Sequence, residues 1–140
     1  MPNWCYNRVE ICGDPEEMDE FRKLVKSKES AFDFNKIVPM PKELEGTTKG
    51  SNQVPSEELK EKYGADNWYD WSISNWGVKW NVDIDENDVT DEGDYIQYAF
   101  DTAWGPPHEI FYALRKKFPD LGITWFFDEP GMQFAGYLNE

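Results

Sequence analysis

Between Trp76 and Ile84 apolar and polar residues alternate without a break: Trp76, Val78, Trp80, Val82 and Ile84 against Gly77, Lys79, Asn81 and Asp83. A two-residue period is the signature of a half-buried strand and is incompatible with a helical face. A second alternating run follows from Tyr95 to Ala103, with Ile96, Tyr98 and Phe100 opposite Tyr95, Gln97 and Ala99. The acidic residues 85–94 lie between the two runs. The pattern predicts a long-looped hairpin whose inner face carries Trp76 and Trp80 and whose outer face carries Lys79 and Asn81.

The rest of the chain supplies two amphipathic helices and more strands. Residues 4–12 alternate, with Cys5, Val9 and Ile11 on one side and Trp4, Tyr6, Arg8 and Glu10 on the other, and predict a first strand. Asp14-Pro15-Glu16-Glu17 then reads as an N-cap, a first-turn proline and a capping-box Glu, opening a helix with Met18, Phe21, Leu24 and Val25 inward. Phe32, Phe34, Ile37 and Val38 predict a short extended segment stopped by Pro39-Met40-Pro41, closing a βαβ-like unit. Residues 42–66 are polar and predict an exposed, partly mobile insertion with one short helix from Ser56 to Tyr63, stopped by Gly64. Pro106 and Pro107 open a second long helix with Ile110, Phe111, Leu114 and Phe118 at core spacing, followed by strands at 123–127 and 132–138. Two helices that each need one buried face can cover one side of a mainly antiparallel sheet. The predicted class is therefore α+β, a two-layer ferredoxin-like sandwich with an extra hairpin strand and a polar insertion, forming one domain over residues 1–140.

Charge narrows the partners. Twenty-eight acids against fourteen bases leave a formal charge of −14, which repels phosphate backbones and anionic membranes at long range. A basic protein partner is favoured and direct nucleic-acid binding is not. No apolar run reaches the roughly 18 residues of a membrane span, and the first residues lack a basic-then-apolar leader, so a cytoplasmic location is expected. Cys5 and Cys12 fall on one strand about 23 Å apart if extended, on opposite faces, where they cannot bond to each other. Reduced thiols are expected.

Four of the seven tryptophans fall within residues 67–81, mixed with Asn, Asp and Lys, a composition that suits a contact surface or a tightly specified core. Candidate ligand- or partner-binding residues are Trp68, Asp70, Trp71, Lys79, Asp101, Trp104 and His108. In a small-molecule site, Trp71 and Trp104 would be stacking walls, Asp70 or Asp101 acid–base groups, and Lys79 an anion contact. The turn from Thr102 to Pro107 leads into a helix whose first N–H groups could meet an anion. His108 is the sole histidine, which excludes a two-histidine metal site, and no zinc-type cysteine spacing, phosphate loop or nucleophile elbow is present. No cofactor is implied. Asp83, Asp85, Asn87, Asp91 and Asp94 occupy relative positions 1, 3, 5, 9 and 12 of a calcium loop, although Asp88 stands at the turn position where glycine is needed and Asp94 where a bidentate Glu is needed. A solvated hairpin tip is the competing reading of that loop.

Asn3-Trp4-Cys5, the run Phe34 to Pro41, Asn67-Trp68-Tyr69-Asp70-Trp71, Asn75-Trp76-Gly77-Val78-Lys79-Trp80 and the run Phe100 to Pro107 together resemble the YubB-like family of phage, plasmid and bacterial proteins. The resemblance spans nearly the whole chain. It implies a ferredoxin-like domain and carries no catalytic residues. The acidic loop 85–94 and the insertion 42–66 lie outside it. The expected function is non-enzymatic binding or regulation, of mobile-element origin, with acidic surface and aromatic side chains engaging a protein. The alternatives are a small-molecule site or enzyme in the Trp-rich words, and weak calcium binding at the acidic loop.

Overall fold

A computed structural model of the chain describes residues 2–47 and 56–139. Strand β1 (Trp4–Cys12) runs through the middle of a five-stranded sheet of order β2-β3-β1-β4-β5, where β2 is Thr90–Asp91, β3 Tyr95–Ala103, β4 Gly122–Glu129 and β5 Phe134–Leu138. Every pairing is antiparallel. β1 meets β3 from Trp4↔Ala103 to Cys12↔Tyr95 and meets β4 from Tyr6↔Asp128 to Cys12↔Gly122. Among the described residues five α-helices accompany the sheet: α1 (Pro15–Val25), α2 (Phe34–Ile37), α3 (Glu57–Tyr63), α4 (Trp68–Asn75) and α5 (His108–Lys117).

Register explains the layers. Val9 lies opposite Tyr98 on one side and Trp125 on the other, so all three share a face. That face receives both long helices: Phe21 of α1 packs on Tyr98 at 6.2 Å between ring centroids, and Phe111 of α5 packs on Trp125 at 6.0 Å. Met18, Phe21 and Val25 from α1 and Ile110, Phe111 and Leu114 from α5 are buried there, at the helical spacing the sequence displays. Phe32 sits at the hub, touching the rings of Phe34, Tyr98, Phe100 and Trp125. The fold is the α+β, ferredoxin-like two-layer arrangement, with α1 and α5 on one side of an antiparallel sheet.

A polar residue occupies the centre of this core. Asn7 is fully buried; its Nδ2 donates to the carbonyls of Cys5 and Phe100 and to Thr102 Oγ1, while its Oδ1 accepts from Trp125 Nε1 at 3.0 Å. Complete pairing is what allows an amide to stay there.

The structure corrects several expectations. Residues 76–84 form no strand: Trp76 is the C-cap of α4, Gly77 has φ 90°, residues 77–80 bend, and 81–84 carry no ladder. Its burial pattern is real, because Trp76, Val78, Val82 and Ile84 are buried, but Trp80 breaks the alternation and is 42% exposed. No hairpin joins it to β3, whose partners are β1 and the two-residue β2. The segment is held by one backbone bond, from Ala31 N–H to the Ile84 carbonyl, and otherwise by side chains. Asn81 Oδ1 accepts from Phe34 N–H and Val82 N–H, Asn81 Nδ2 donates to Asp33, and Ser30 Oγ accepts from Ile84 N–H. Thus Asn81, expected to face water, pins its own stretch to Asp33 and Phe34, while Ser30 and Ala31 hold Ile84.

The predicted extended segment 32–38 contains a single helical turn, α2, capped by Asp33 Oδ1 on Asn35 N–H, so the βαβ-like unit does not close. Trp68–Asn75 forms α4, a helix the sequence reading does not predict. Asp14 stands at the N-cap of α1, yet its side chain makes no capping bond. In the insertion the predicted short helix is present as α3, with Ser56 as its N-cap and the predicted stop at a left-handed Gly64, but Leu44, Ala65 and Asp66 are buried, so the segment is not wholly exposed. Residues 48–55 of the insertion lie outside the described residues.

Candidate functional site

The helices cover one side of the sheet; the other side carries no helix among the described residues. β1 directs Trp4, Tyr6, Arg8 and Glu10 to this open side, and β4 and β5 add Phe126 and Tyr137. Phe126 and Tyr137 pack with their rings tilted, 5.4 Å between centroids, the Arg8 guanidinium lies 4.9 Å from the Phe126 ring centroid, and Arg8 pairs with Glu10 at 2.9 Å. At the other end Trp4 meets Trp80 at 6.1 Å, and Lys79 Nζ sits 4.1 Å over the Trp80 ring. Trp4, Tyr6, Trp80 and Tyr137 are all exposed. Large rings held open on a rigid sheet are a ready contact surface.

Beside this ridge is a cavity of about 360 Å³ between residues 80–84 and the 99–103 end of β3, lined by Trp4, Trp80, Asp83, Asp88 and Asp101. A smaller one, about 230 Å³, lies where the start of α5 meets the end of α4, and Tyr69, Lys79, Trp104, His108 and Phe134 line it. Gly77 makes that approach possible: a Cβ built on it would lie 3.0 Å from both the backbone N and the Nδ1 of His108. A third concavity, about 400 Å³, lies beside α1 and is lined by Arg22, Lys26, Glu86, Asp91 and Tyr98.

The predicted site residues separate into three groups. Lys79, Trp104 and His108 do come together at the 230 Å³ cavity. Trp104 is 52% exposed and holds φ 74°, a left-handed conformation that costs a non-glycine residue roughly 1–2 kcal/mol. Asp101 belongs to the other cavity, facing the open side of the sheet. Asp70, Trp68 and Trp71 serve α4. Asp70 N–H donates to Asn67 Oδ1 and Asp70 Oδ2 accepts from Asn67 Nδ2, a reciprocal cap that starts the helix. Trp68, half-buried, packs edge-on against Tyr69, and Trp71, buried, packs edge-on against Trp76 at 5.5 Å. The expected pocket uniting Trp71, Lys79, Asp101 and Trp104 is therefore not formed, and Trp71 is core rather than a stacking wall.

The calcium geometry also fails. Asp91 accepts two bonds from Arg22, at 2.7 and 2.8 Å, and a third from Gly93 N–H; Asp85 caps a turn through Asn87 N–H. The Arg22 bonds hold the Asp91 carboxyl below its usual range. Among the described residues no three His, Cys, Asp or Glu side chains are grouped to hold a metal. Elsewhere burial dominates: it pushes the Cys5 thiol up to about 11 and raises the Tyr98 phenol. Cys12 is exposed, and the two thiols are free.

The residues that prediction missed are Trp4, Tyr6, Trp80, Tyr137 and Asp88. For Trp4 and Tyr6 the signal was available, since alternation puts them opposite Val9 and Ile11, and two helices on one face leave the other bare.

Fold and surface together define a ferredoxin-like α+β domain whose sheet presents an uncovered aromatic side. Residues 79–139 match the family model described as the ferredoxin-like domain in Api92-like protein. The chain is similar in structure to protein api92 from Yersinia pseudotuberculosis, with a TM-score of 0.58 at 13% identity over 98% of this chain and 93% of that one. At that identity the likeness is one of fold. No curated protein sequence matches the chain significantly. No helix among the described residues is long and apolar enough to cross a membrane.

Proposed function

We propose that this chain is a non-enzymatic binding protein that engages a basic protein partner. The observation carrying the reading is the open sheet side, where Trp4, Tyr6, Trp80 and Tyr137 are exposed on a chain of formal charge −14. Aromatic rings offer contact area at little entropic cost, and cationic side chains gain from both the ring faces and the surrounding carboxylates. The YubB-like resemblance extends the proposal to an accessory or regulatory role on a mobile element, exercised in the bacterial cytoplasm. Nucleic acid is disfavoured by the same charge.

The test is affinity capture from bacterial lysate at low and moderate salt, with a Trp4→Ala/Tyr137→Ala variant as control. A basic protein should be retained by the wild type, released by salt, and absent from the variant. Identical retention by both proteins would remove the open side from the account.

A second reading has its own support: Lys79, Trp104 and His108 converge on the 230 Å³ cavity, which suits a small planar anion. Quenching of Trp fluorescence by a panel of aromatic carboxylates, abolished in Lys79→Ala, would favour it; silence across the panel would discard it.

A further inference from the structure

Ladder parity decides what the outer edge of β3 presents. Trp104 N–H donates to the Asn3 carbonyl and Glu92 N–H donates to the Tyr95 carbonyl, both at 2.8 Å. Alternate residues of an antiparallel strand direct their backbone groups to opposite neighbours. Ile96, Tyr98, Phe100 and Thr102 therefore address β1, while Tyr95, Gln97, Ala99, Asp101 and Ala103 address the other edge. β2 covers that edge only at Ile96 and Gln97. From Ala99 to Ala103, about 13 Å of strand, no described strand pairs with it.

Residues 80–84 pass this edge but bond elsewhere. The Ile84 carbonyl accepts from Ala31 N–H, Ile84 N–H goes to Ser30 Oγ, and Val82 N–H goes to Asn81 Oδ1. The 360 Å³ cavity fills the gap. Its chemistry is one-sided: Asp83, Asp88 and Asp101 line it, none of its lining residues is basic, and Trp4 and Trp80 stand beside it. Ala99, half-buried, and Ala103, buried, flank Asp101 on the same face of β3.

We propose that the free edge of β3 is a slot for an extended basic peptide, which pairs with Ala99, Asp101 and Ala103 as an added strand and lays an Arg or Lys side chain between the Trp rings and the aspartates. Strand addition supplies affinity through the main chain, and the alternate side chains supply selectivity. The charge of the slot selects this occupant: an acidic strand or a phosphate backbone would meet three carboxylates and no basic lining residue, Lys79 lying over the Trp80 ring beside the slot. The inference rests on the basic-partner reading and gives it an address.

The experiment titrates the full-length, ¹⁵N-labelled protein with three blocked heptapeptides: one alternating arginine and valine, the same peptide N-methylated at alternate residues, and one alternating glutamate and valine. The arginine peptide should shift the amides of Ala99, Asp101 and Ala103 and slow their hydrogen exchange. N-methylation, by removing the peptide's donors, should weaken binding at least about tenfold, and the glutamate peptide should not bind. Ala99→Pro, which removes an edge donor and leaves the β1 ladder its bonds, should lose the arginine peptide as well. Equal binding of the N-methylated peptide, or shifts confined to Tyr6 and Tyr137, overturns strand addition. Protamine serves as the control probe. If protamine binds with salt sensitivity while the heptapeptide leaves the edge untouched, the slot falls and the basic-partner reading stands; if neither binds, both fall.

Discussion

β1 and the segment 76–84 carry nearly the same sequence pattern and have different fates. Both alternate, and both bury their apolar residues: Val9 and Ile11 in one, Val78, Val82 and Ile84 in the other. β1 is a ladder strand with a neighbour on each side, whereas 81–84 is tethered mainly by the side chains of Asn81 and Ser30, with a single backbone bond from Ala31 N–H to the Ile84 carbonyl. Alternation therefore reports which side of the chain is dry. It does not report who satisfies the backbone, because an amide or hydroxyl side chain can replace a neighbouring strand.

The strongest way to break the comparison is through the ring on which the core turns. Phe32→Ala should cost about 3–5 kcal/mol in denaturant unfolding, since the cavity opens against Tyr98, Phe100 and Trp125 together. A smaller loss would mean that the core collapses around the gap. Asn81→Ala probes the side-chain tether: it strands Phe34 N–H and Val82 N–H, and about 1–3 kcal/mol should be lost. The matching change on the ladder strand, Tyr6→Thr, should stay within about 0.5 kcal/mol, because its backbone bonds do not depend on the side chain. Near-equal effects at the two positions would erase the distinction.

Native-state hydrogen exchange sharpens it further, with the amides of Val9 and Ile11 opening only on global unfolding and those of Val82 and Ile84 opening earlier. Thiol chemistry gives a related contrast within β1 itself. Cys12 should alkylate readily at pH 8, while Cys5, buried and raised to about 11, should react only on unfolding. The smallest effect concerns Arg22 and Asp91, which tie α1 to β2. Asp91 is depressed when folded, so its contribution is present above the unfolded carboxyl range and is lost as pH falls through the folded value. Arg22→Ala should flatten the acid side of the stability profile slightly, the pair being partly exposed.

Elements whose local signals agree with their surroundings were legible. β1, β3, α1, α5 and the Ser56–Gly64 limits of α3 follow from period and capping chemistry, and with them the α+β layering. α4 was hidden because Trp68 to Asn75 has little amphipathic contrast and no strong helix formers; only the Asn67–Asp70 spacing announced it. The site was less legible than the fold. Lys79, Trp104 and His108 converge as a contact that three separate elements create, and no one stretch of sequence records it. Trp71 and Asp101 could not be separated from them by residue type, since a core ring and a surface ring look alike in a one-dimensional list.

The uncovered border of β3 has one more consequence. Bare strand margins invite identical molecules to join margin to margin, the first step toward fibrils. Here two copies meeting that way would set Asp83, Asp88 and Asp101 of each against the same acids of the other. Electrostatic repulsion then acts as a guard, leaving the margin open to foreign chains while refusing its own kind.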